Sequence, residues 1–335
     1  MASRQSDPLN KMSFYIITGV AGFIGSRTAD FLLGDGHTVI GVDCMNGYYD
    51  VRLKEHRLSQ LKENSNFYFH NLDIESLSDL DTLFDKHKKI DGVINLAAYS
   101  GFPYSLINPH AYFKTNVNGT LNILECMRNH KIAKLVIASS SSLYSGQKPP
   151  FHEKLAVNEP ISPYAASKKA AEVLCHSYHA LFDIDVSIVR YFTVMGPQGR
   201  PDMCVFRFIK WIAEGTPIEL FGDGSQSRDF TYVDDIARGT IAALNPLGYE
   251  IVNLGGGNIP VSLNKIIEWI EGFLGKKAII KKQPFLKADM KSTKADISKA
   301  KNLLGWKPQV DIKVGVQNCV KWYLENQSWL KDIKV

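Results

Sequence analysis

The stretch TGVAGFIG, residues 18–25, lies between the apolar run FYII and the helix-like SRTADFLLGDG. Its glycines, Gly19, Gly22 and Gly25, follow a strand and open a helix. At such a junction glycine permits a tight turn and close backbone approach, and the helix N-terminus favours the negative charge of a pyrophosphate. Asp43 closes the next strand-like run, HTVIGVD, 18 positions after Gly25. A carboxylate there hydrogen-bonds the two adenosine ribose hydroxyls and repels a 2′-phosphate, which favours NAD over NADP. A glycine-rich turn without a ligand is the plain alternative.

Outward from this turn the chain alternates. NFYFHNLD, DGVINLAA, KLVIASSSS and DVSIVRYFT continue the strands, while HAYFKTNVNGTLNILECMRNH and SPYAASKKAAEVLCHSYHALF read as helices. Alternation of this kind indicates an α/β fold, a Rossmann-type doubly wound parallel sheet covered on both faces. After about residue 195 the pattern loosens, and pieces such as LNKIIEWIEGFLG stand apart. The expected organisation is an NAD-binding domain over residues 12–195 and a smaller C-terminal substrate-binding lobe over 196–335. Residues of about 231–254 are expected to return to the first domain.

The bulk properties exclude several classes. A net charge of +5 over 335 residues, with Lys and Arg scattered, does not suit a nucleic-acid binder. The basic runs at residues 86–89 and 276–282 read as solvated faces. No apolar run approaches the roughly 18 residues that span a bilayer, so no membrane partner is expected. The start, MASRQSDPLNK, lacks the apolar core of a signal peptide. Five cysteines without CxxC spacing fit free thiols in a reducing compartment, and the expected location is cytoplasmic. His176 and His179, beside Cys175, lack a further ligand at sensible spacing, so no metal is expected. Asp234 and Asp235 read as a helix start.

A second constellation is SPYAASK. Tyr164 and Lys168 are four apart and share one helix face, with Ser162 as cap and Pro163 in the first turn. A phenol titrates near 10, and a nearby cation favours its phenolate. Lowering it to about 7 takes roughly 4 kcal/mol, which Lys168 and the positive nicotinamide ring would supply together.

TGxxGxxG followed by YxxxK resembles the extended short-chain dehydrogenase/reductases that act on nucleotide sugars, over residues of about 14–322. The resemblance implies a seven-stranded Rossmann domain with a smaller sugar-nucleotide lobe. It implies Ser140, Tyr164 and Lys168 as catalytic residues, Ser140 standing four positions before Tyr144 in SSSSLYSG. It implies cofactor contacts from Gly19, Gly22, Phe23, Ile24, Gly25, Asp43, Asp73, Ile74, Ala97 and Ala98, together with Tyr164 and Lys168. It also implies a homodimer built through helices near 109–129 and 163–182.

Where related dehydratases and decarboxylases carry carboxylates after the catalytic hydroxyl, this chain has Ser141 and Ser142, expected to face substrate. Hydride removal and return is what remains, and that is epimerisation. DCMNGYYDVRLKEHR and RYFTVMGPQGRPDM are similar to segments of UDP-glucuronate 4-epimerases. This implies that Thr193 and Arg200 bind the C5 carboxylate of a UDP-sugar, and that Arg228 binds its diphosphate. A guanidinium fork suits a carboxylate in two parallel hydrogen bonds. An ion pair of Arg200 with Asp202, and of Arg228 with Asp229 or Asp223, are the structural alternatives. Tyr99, Pro103, Met195 and Ser145 depart from the subfamily pattern. UDP-glucose, a UDP-N-acetylhexosamine, or a net reductase using NAD(P) stay open as alternatives.

Overall fold

A computed structural model describes residues 12–285 and 290–335. The N-terminal stretch read above, residues 1–11, lies outside the described residues. Seven strands form the central sheet: β1 (Phe14–Thr18), β2 (Thr38–Asp43), β3 (Phe67–Asn71), β4 (Gly92–Asn95), β5 (Lys134–Ser140), β6 (Asp185–Tyr191) and β7 (Tyr249–Leu254). Their order is β7-β6-β5-β4-β1-β2-β3, and every neighbouring pair is parallel. The order reverses beside β1. A crevice opens there at the carboxyl ends of the strands, the usual ligand position in such sheets.

Successive strand residues point to opposite faces. Ile16, Ile40, Val93, Leu135 and Ile188 pack beneath one helical layer. That layer is α3 (Leu77–Lys86), α4 (Thr120–Asn129) and α5 (Pro163–Phe182), the other being α1 (Phe23–Gly34), α2 (Val51–Leu61), α6 (Val233–Ala242) and α7 (Ser298–Leu304). Ile17, Val39, Ile94, Val136, Val189 and Val252 pack beneath this second layer. Because both faces are covered, the strands read as continuous apolar runs.

The chain comes back to this sheet twice after residue 195. β7 pairs with β6 at the edge, and α6 packs along α1. Residues Ala295, Ile297, Ala300 and Trp306 then join the core of the second layer, with Trp306 Nε1 donating to Asp235 O at 2.8 Å. The smaller lobe has its own core, in which Phe206, Ile209, Ile266, Ile270, Val316 and Tyr323 meet. They come from helices Cys204–Glu214, Leu263–Leu274 and Ile312–Glu325.

One expected helix differs. Residues 109–129 form an α-turn at Pro109–Tyr112, a π-helical stretch at Phe113–Gly119 and then α4. The wide stretch turns Asn116 inward, where its side chain accepts from Tyr99 N and donates to Tyr99 O and Ser167 Oγ. Gly119 lets Ile74 approach so closely that a Cβ would stand 2.5 Å from Ile74 Cδ1. Among the described residues no helix is long and apolar enough to cross a membrane.

Candidate active site

The glycine turn leaves β1 with Gly19 at φ +68°, a left-handed conformation that a side chain rarely adopts. A Cβ on Gly25 would stand 2.2 Å from Gly19 O. Helix α1 begins here with no side-chain cap and no acidic residue in its first turn, so the positive end of its dipole is not neutralised from within the helix. Beneath the turn, Thr18 Oγ1 donates to Asn95 Oδ1 at 2.7 Å and accepts from Ala97 N at 3.2 Å, which fixes β1 against the end of β4. A cavity of about 170 Å³ opens beside it, lined by Gly19, Phe23, Ile24, Asp43, Asp73, Ile74, Ala97 and Ala98. Asp43 accepts from Ala21 N at 3.1 Å and Met45 N at 2.9 Å. Asp73 is exposed and accepts from Glu75 N.

A second cavity, of about 250 Å³, adjoins the first and shares Ile24, Ala98, Ser100 and Arg200 with it. Its walls include Ser140, Ser141, Ser142, Tyr164, Lys168 and Thr193. Ser140 ends β5, and its Oγ accepts from Ser142 N at 3.1 Å. Tyr164 enters in the first turn of α5, whose cap Ser162 accepts from Ala165 N at 3.2 Å. Lys168, one turn later, donates to Ala138 O at 2.9 Å. Burial pushes the Tyr164 phenol up, while a hydrogen bond with Ser140 and the charge of Arg200 pull it down. Burial also pulls the Lys168 ammonium down to about 8, against the attraction of Glu172. Arg200 is a second cation close enough to act on Tyr164.

Behind these residues lies a buried network absent from the sequence reading. Glu172 takes a bidentate contact from Arg190, at 2.9 and 2.7 Å, and a hydrogen bond from Ser139 at 2.7 Å. Arg190 Nη1 reaches Tyr144 OH at 2.9 Å, and Tyr144 donates to Asn253 Oδ1 at 2.8 Å. The network ties β5, α5, β6 and β7 together directly under Ser140.

Arg200 lies on the wall common to both cavities. Its Nε and Nη2 meet Asp202 at 3.0 and 2.6 Å, Nη1 meets Ser100 Oγ, and Nη2 meets Ser100 O at 3.1 Å. The guanidinium sits over the rings of Tyr48 and Tyr49, at 5.3 and 5.9 Å. Of the two sequence readings for its fork, the ion pair with Asp202 is formed. A third cavity, of about 340 Å³, continues the second through Gly101, Ser141, Ser142, Thr193 and Met203. It is also lined by Arg207 and Arg228. The Asp229 carboxylate accepts from Gly257 N and Ala295 N, Asp223 accepts from Ser225, and Arg228 Nη1 donates to Ser227 O. Among the described residues no group of three His, Cys, Asp or Glu could hold a metal ion.

Several residues here carried no legible signal. Tyr112 stands edge-on to Tyr164 at 5.9 Å and begins a chain of rings with Tyr48, Tyr99 and Tyr104. Arg57, 1% exposed, donates to Ala21 O at 3.0 Å and through two nitrogens to Gln198 O, at 3.1 and 2.6 Å. It thus joins the glycine turn to the loop of residues 196–203. The Arg57 and Gln198 positions lie 141 apart in sequence, and nothing local announces their meeting.

A model of the NAD dependent epimerase/dehydratase family matches residues 15–255. The chain belongs to this family. Within it, the sequence is 56% identical over 324 residues to a UDP-glucuronate 4-epimerase of Thermodesulfobacterium geofontis, covering 97% of this chain and 100% of that one. The structure of UDP-glucuronic acid 4-epimerase from Bacillus cereus, in complex with UDP-glucuronic acid and NAD, is similar at a TM-score of 0.88 and 37% identity. That match covers 93% of this chain and 99% of the other. A UDP-glucose 4-epimerase from Thermotoga maritima, with UDP-glucose, is similar at a TM-score of 0.85 and 28% identity, covering 94% and 99%. The residues present fit the NAD of the epimerase/dehydratase family. The glycine cradle excludes side chains where a pyrophosphate must approach, and the start of α1 offers free donors.

Proposed function

We propose that this protein catalyses the NAD-dependent C4 epimerisation of a UDP-sugar through a 4-keto intermediate, with UDP-glucuronate converted to UDP-galacturonate. The observation that carries the reading is the meeting of Ser140, Tyr164, Lys168, Thr193 and Arg200 on one cavity, with Ser141 and Ser142 where a dehydratase needs acids. The similarity to UDP-glucuronate 4-epimerases supports the sugar.

Bound NAD would supply the acceptor and donor of the C4 hydride, so that its return to the opposite face of the sugar completes the epimerisation. Tyr164 takes the proton of the 4-hydroxyl, and Ser140 hydrogen-bonds the same oxygen. Lys168 holds the nicotinamide ribose and shares with the cofactor's charge the task of stabilising the phenolate. Asp43 and Asp73 face the adenosine end. Ala97 and Ala98 would line the middle of the cofactor, and Phe23, Ile24 and Ile74 would add contacts to it. Arg228 anchors the diphosphate while the sugar turns. Thr193 and Arg200 hold the uronate carboxylate, which takes a place at the fork beside Asp202 or displaces it.

The bidentate Arg200–Asp202 pair favours a second reading, a neutral UDP-hexose, because the fork already has its carboxylate. Incubation with UDP-glucuronate, UDP-glucose and UDP-N-acetylglucosamine, with products resolved by chromatography, decides between them. UDP-galacturonate should form fastest and without added reductant. Faster turnover of UDP-glucose would replace the uronate reading, and consumption of external NAD(P)H would replace epimerisation.

The NAD-binding part, residues 12–195 with 231–254, and the substrate lobe, the rest of 196–335, fit this division of labour. Phe113, Val173, Leu181 and Phe182 are exposed on the π-helical stretch and α5. That apolar surface supports a homodimer through the helices near 109–129 and 163–182. Free cysteines among the described residues suit a cytoplasmic enzyme.

A further inference from the structure

Asp43 does not stand alone at the end of β2. Lys54, from the first turn of α2, places its Nζ 3.3 Å from Asp43 Oδ1 and 3.0 Å from Asn46 Oδ1. The ammonium also lies 5.5 Å over the ring of Tyr49. Both partners of the ion pair are nearly buried, with side chains 7% and 5% exposed. Both line the cavity beside the glycine turn, at the end where Asp73 also stands. Arg200 lines the same cavity, but its charge is paired with Asp202. With its carboxylate partner neutralised, the ammonium still has the Asn46 oxygen and the Tyr49 ring beside it.

We propose that Lys54 forms a latent 2′-phosphate site that Asp43 masks. A carboxylate that faces the adenosine ribose repels a phosphate on the 2′-oxygen, and a cation in the same place accepts it. Here the two stand side by side, and the carboxylate neutralises the cation. NAD is then selected over NADP by a balance of the two charges. Loss of the Asp43 charge does more than relax the choice; it leaves Lys54 as a positive donor to a phosphate. The proposal rests on Asp43 facing the adenosine ribose and is independent of which sugar is turned over.

The test uses Asp43→Asn, Lys54→Met and the double variant, with Asp43→Ser as a second neutral form should Asn disturb the turn. Each protein is purified without added cofactor, denatured, and its released NAD and NADP separated by chromatography. Binding of NADP to each is measured by calorimetry. Wild type should release NAD. Asp43→Asn should raise the NADP-to-NAD ratio roughly 10- to 100-fold, the scale of one charge-assisted contact. Adding Lys54→Met should cancel that gain to within about threefold. An equal NADP gain with and without Lys54 would show that the lysine only buttresses Asp43, and would overturn the proposal. No NADP gain in either neutral variant would overturn it too, along with the placement of the ribose at Asp43.

Discussion

At the residue scale, Tyr164 stands where burial and chemistry oppose each other. Burial favours the neutral phenol, and Ser140 and Arg200 act against it. Tyr164→Phe should lower turnover by three orders of magnitude or more and leave bound NAD near one per chain, because the ring keeps its place. Activity within about tenfold of wild type would remove the base from this position. Lys168 carries the opposite burden. Its ammonium falls from 10.5 to about 8, so between these values the unfolded chain holds a proton that the folded protein has released. Stability then rises with pH across that window, and the cost is complete below about 8. Lys168→Met should therefore be inactive yet gain up to roughly 3 kcal/mol at pH 7, with the gain shrinking by pH 10.5. Urea unfolding of both proteins at the two pH values measures it; a pH-independent difference would mean that Lys168 meets no such cost. Arg200→Met should reduce kcat/KM for UDP-glucuronate roughly 10- to 150-fold more than for UDP-glucose, the worth of a charged hydrogen bond. An equal loss for both sugars would assign Arg200 to the loop, through Asp202 and Ser100.

At the element scale, the glycine turn and α5 are read from local chemistry, whereas the π-helical stretch is not. Gly25 is required by a close contact with Gly19 O six residues back and Gly19 by its left-handed φ, although a Cβ on Gly19 would also meet Ala97 N at 2.7 Å; Ser162 and Pro163 start α5 in the ordinary way. The π-helical stretch exists because Asn116 and Gly119 answer to Tyr99, Ser167 and Ile74, which belong to other elements. A tertiary demand widened a helix that periodicity alone would keep regular. Gly25→Ala tests the turn. Its methyl would meet Gly19 O at 2.2 Å, so the turn must open at the proposed pyrophosphate position. Bound NAD in the purified protein should fall at least tenfold while far-UV circular dichroism stays as in wild type. Retention of NAD would mean that the cradle tolerates a shift.

At the scale of the whole molecule, the sheet presents the crevice and the smaller lobe completes it. Arg57 couples the two sides by holding Ala21 O and Gln198 O at once. The apolar strip on α5, with Leu181 at 71% and Val173 at 55% exposure, is the surface on which the dimer proposal turns. Wild type should scatter light as a dimer. Val173→Glu combined with Leu181→Glu should shift it to a monomer, since buried unpaired carboxylates at an interface cost several kcal/mol. A dimer unchanged by both charges would place the interface elsewhere.

The sequence by itself determined the class of fold and the cofactor, and it named the candidate reacting residues. Those rest on short-range rules: apolar periodicity, a glycine turn before a helix, an acid at the end of the second strand, and a Tyr and Lys one turn apart. Each is written within a few consecutive residues. Only the tertiary structure decided what surrounds them. It brought Lys54 to Asp43, Asp202 and Ser100 to the fork of Arg200, Arg57 across 141 positions to Gln198, and residues 295–306 back onto the sheet. Buried polar groups must find partners wherever the fold delivers them, and a partner chosen by packing leaves no mark in the local sequence.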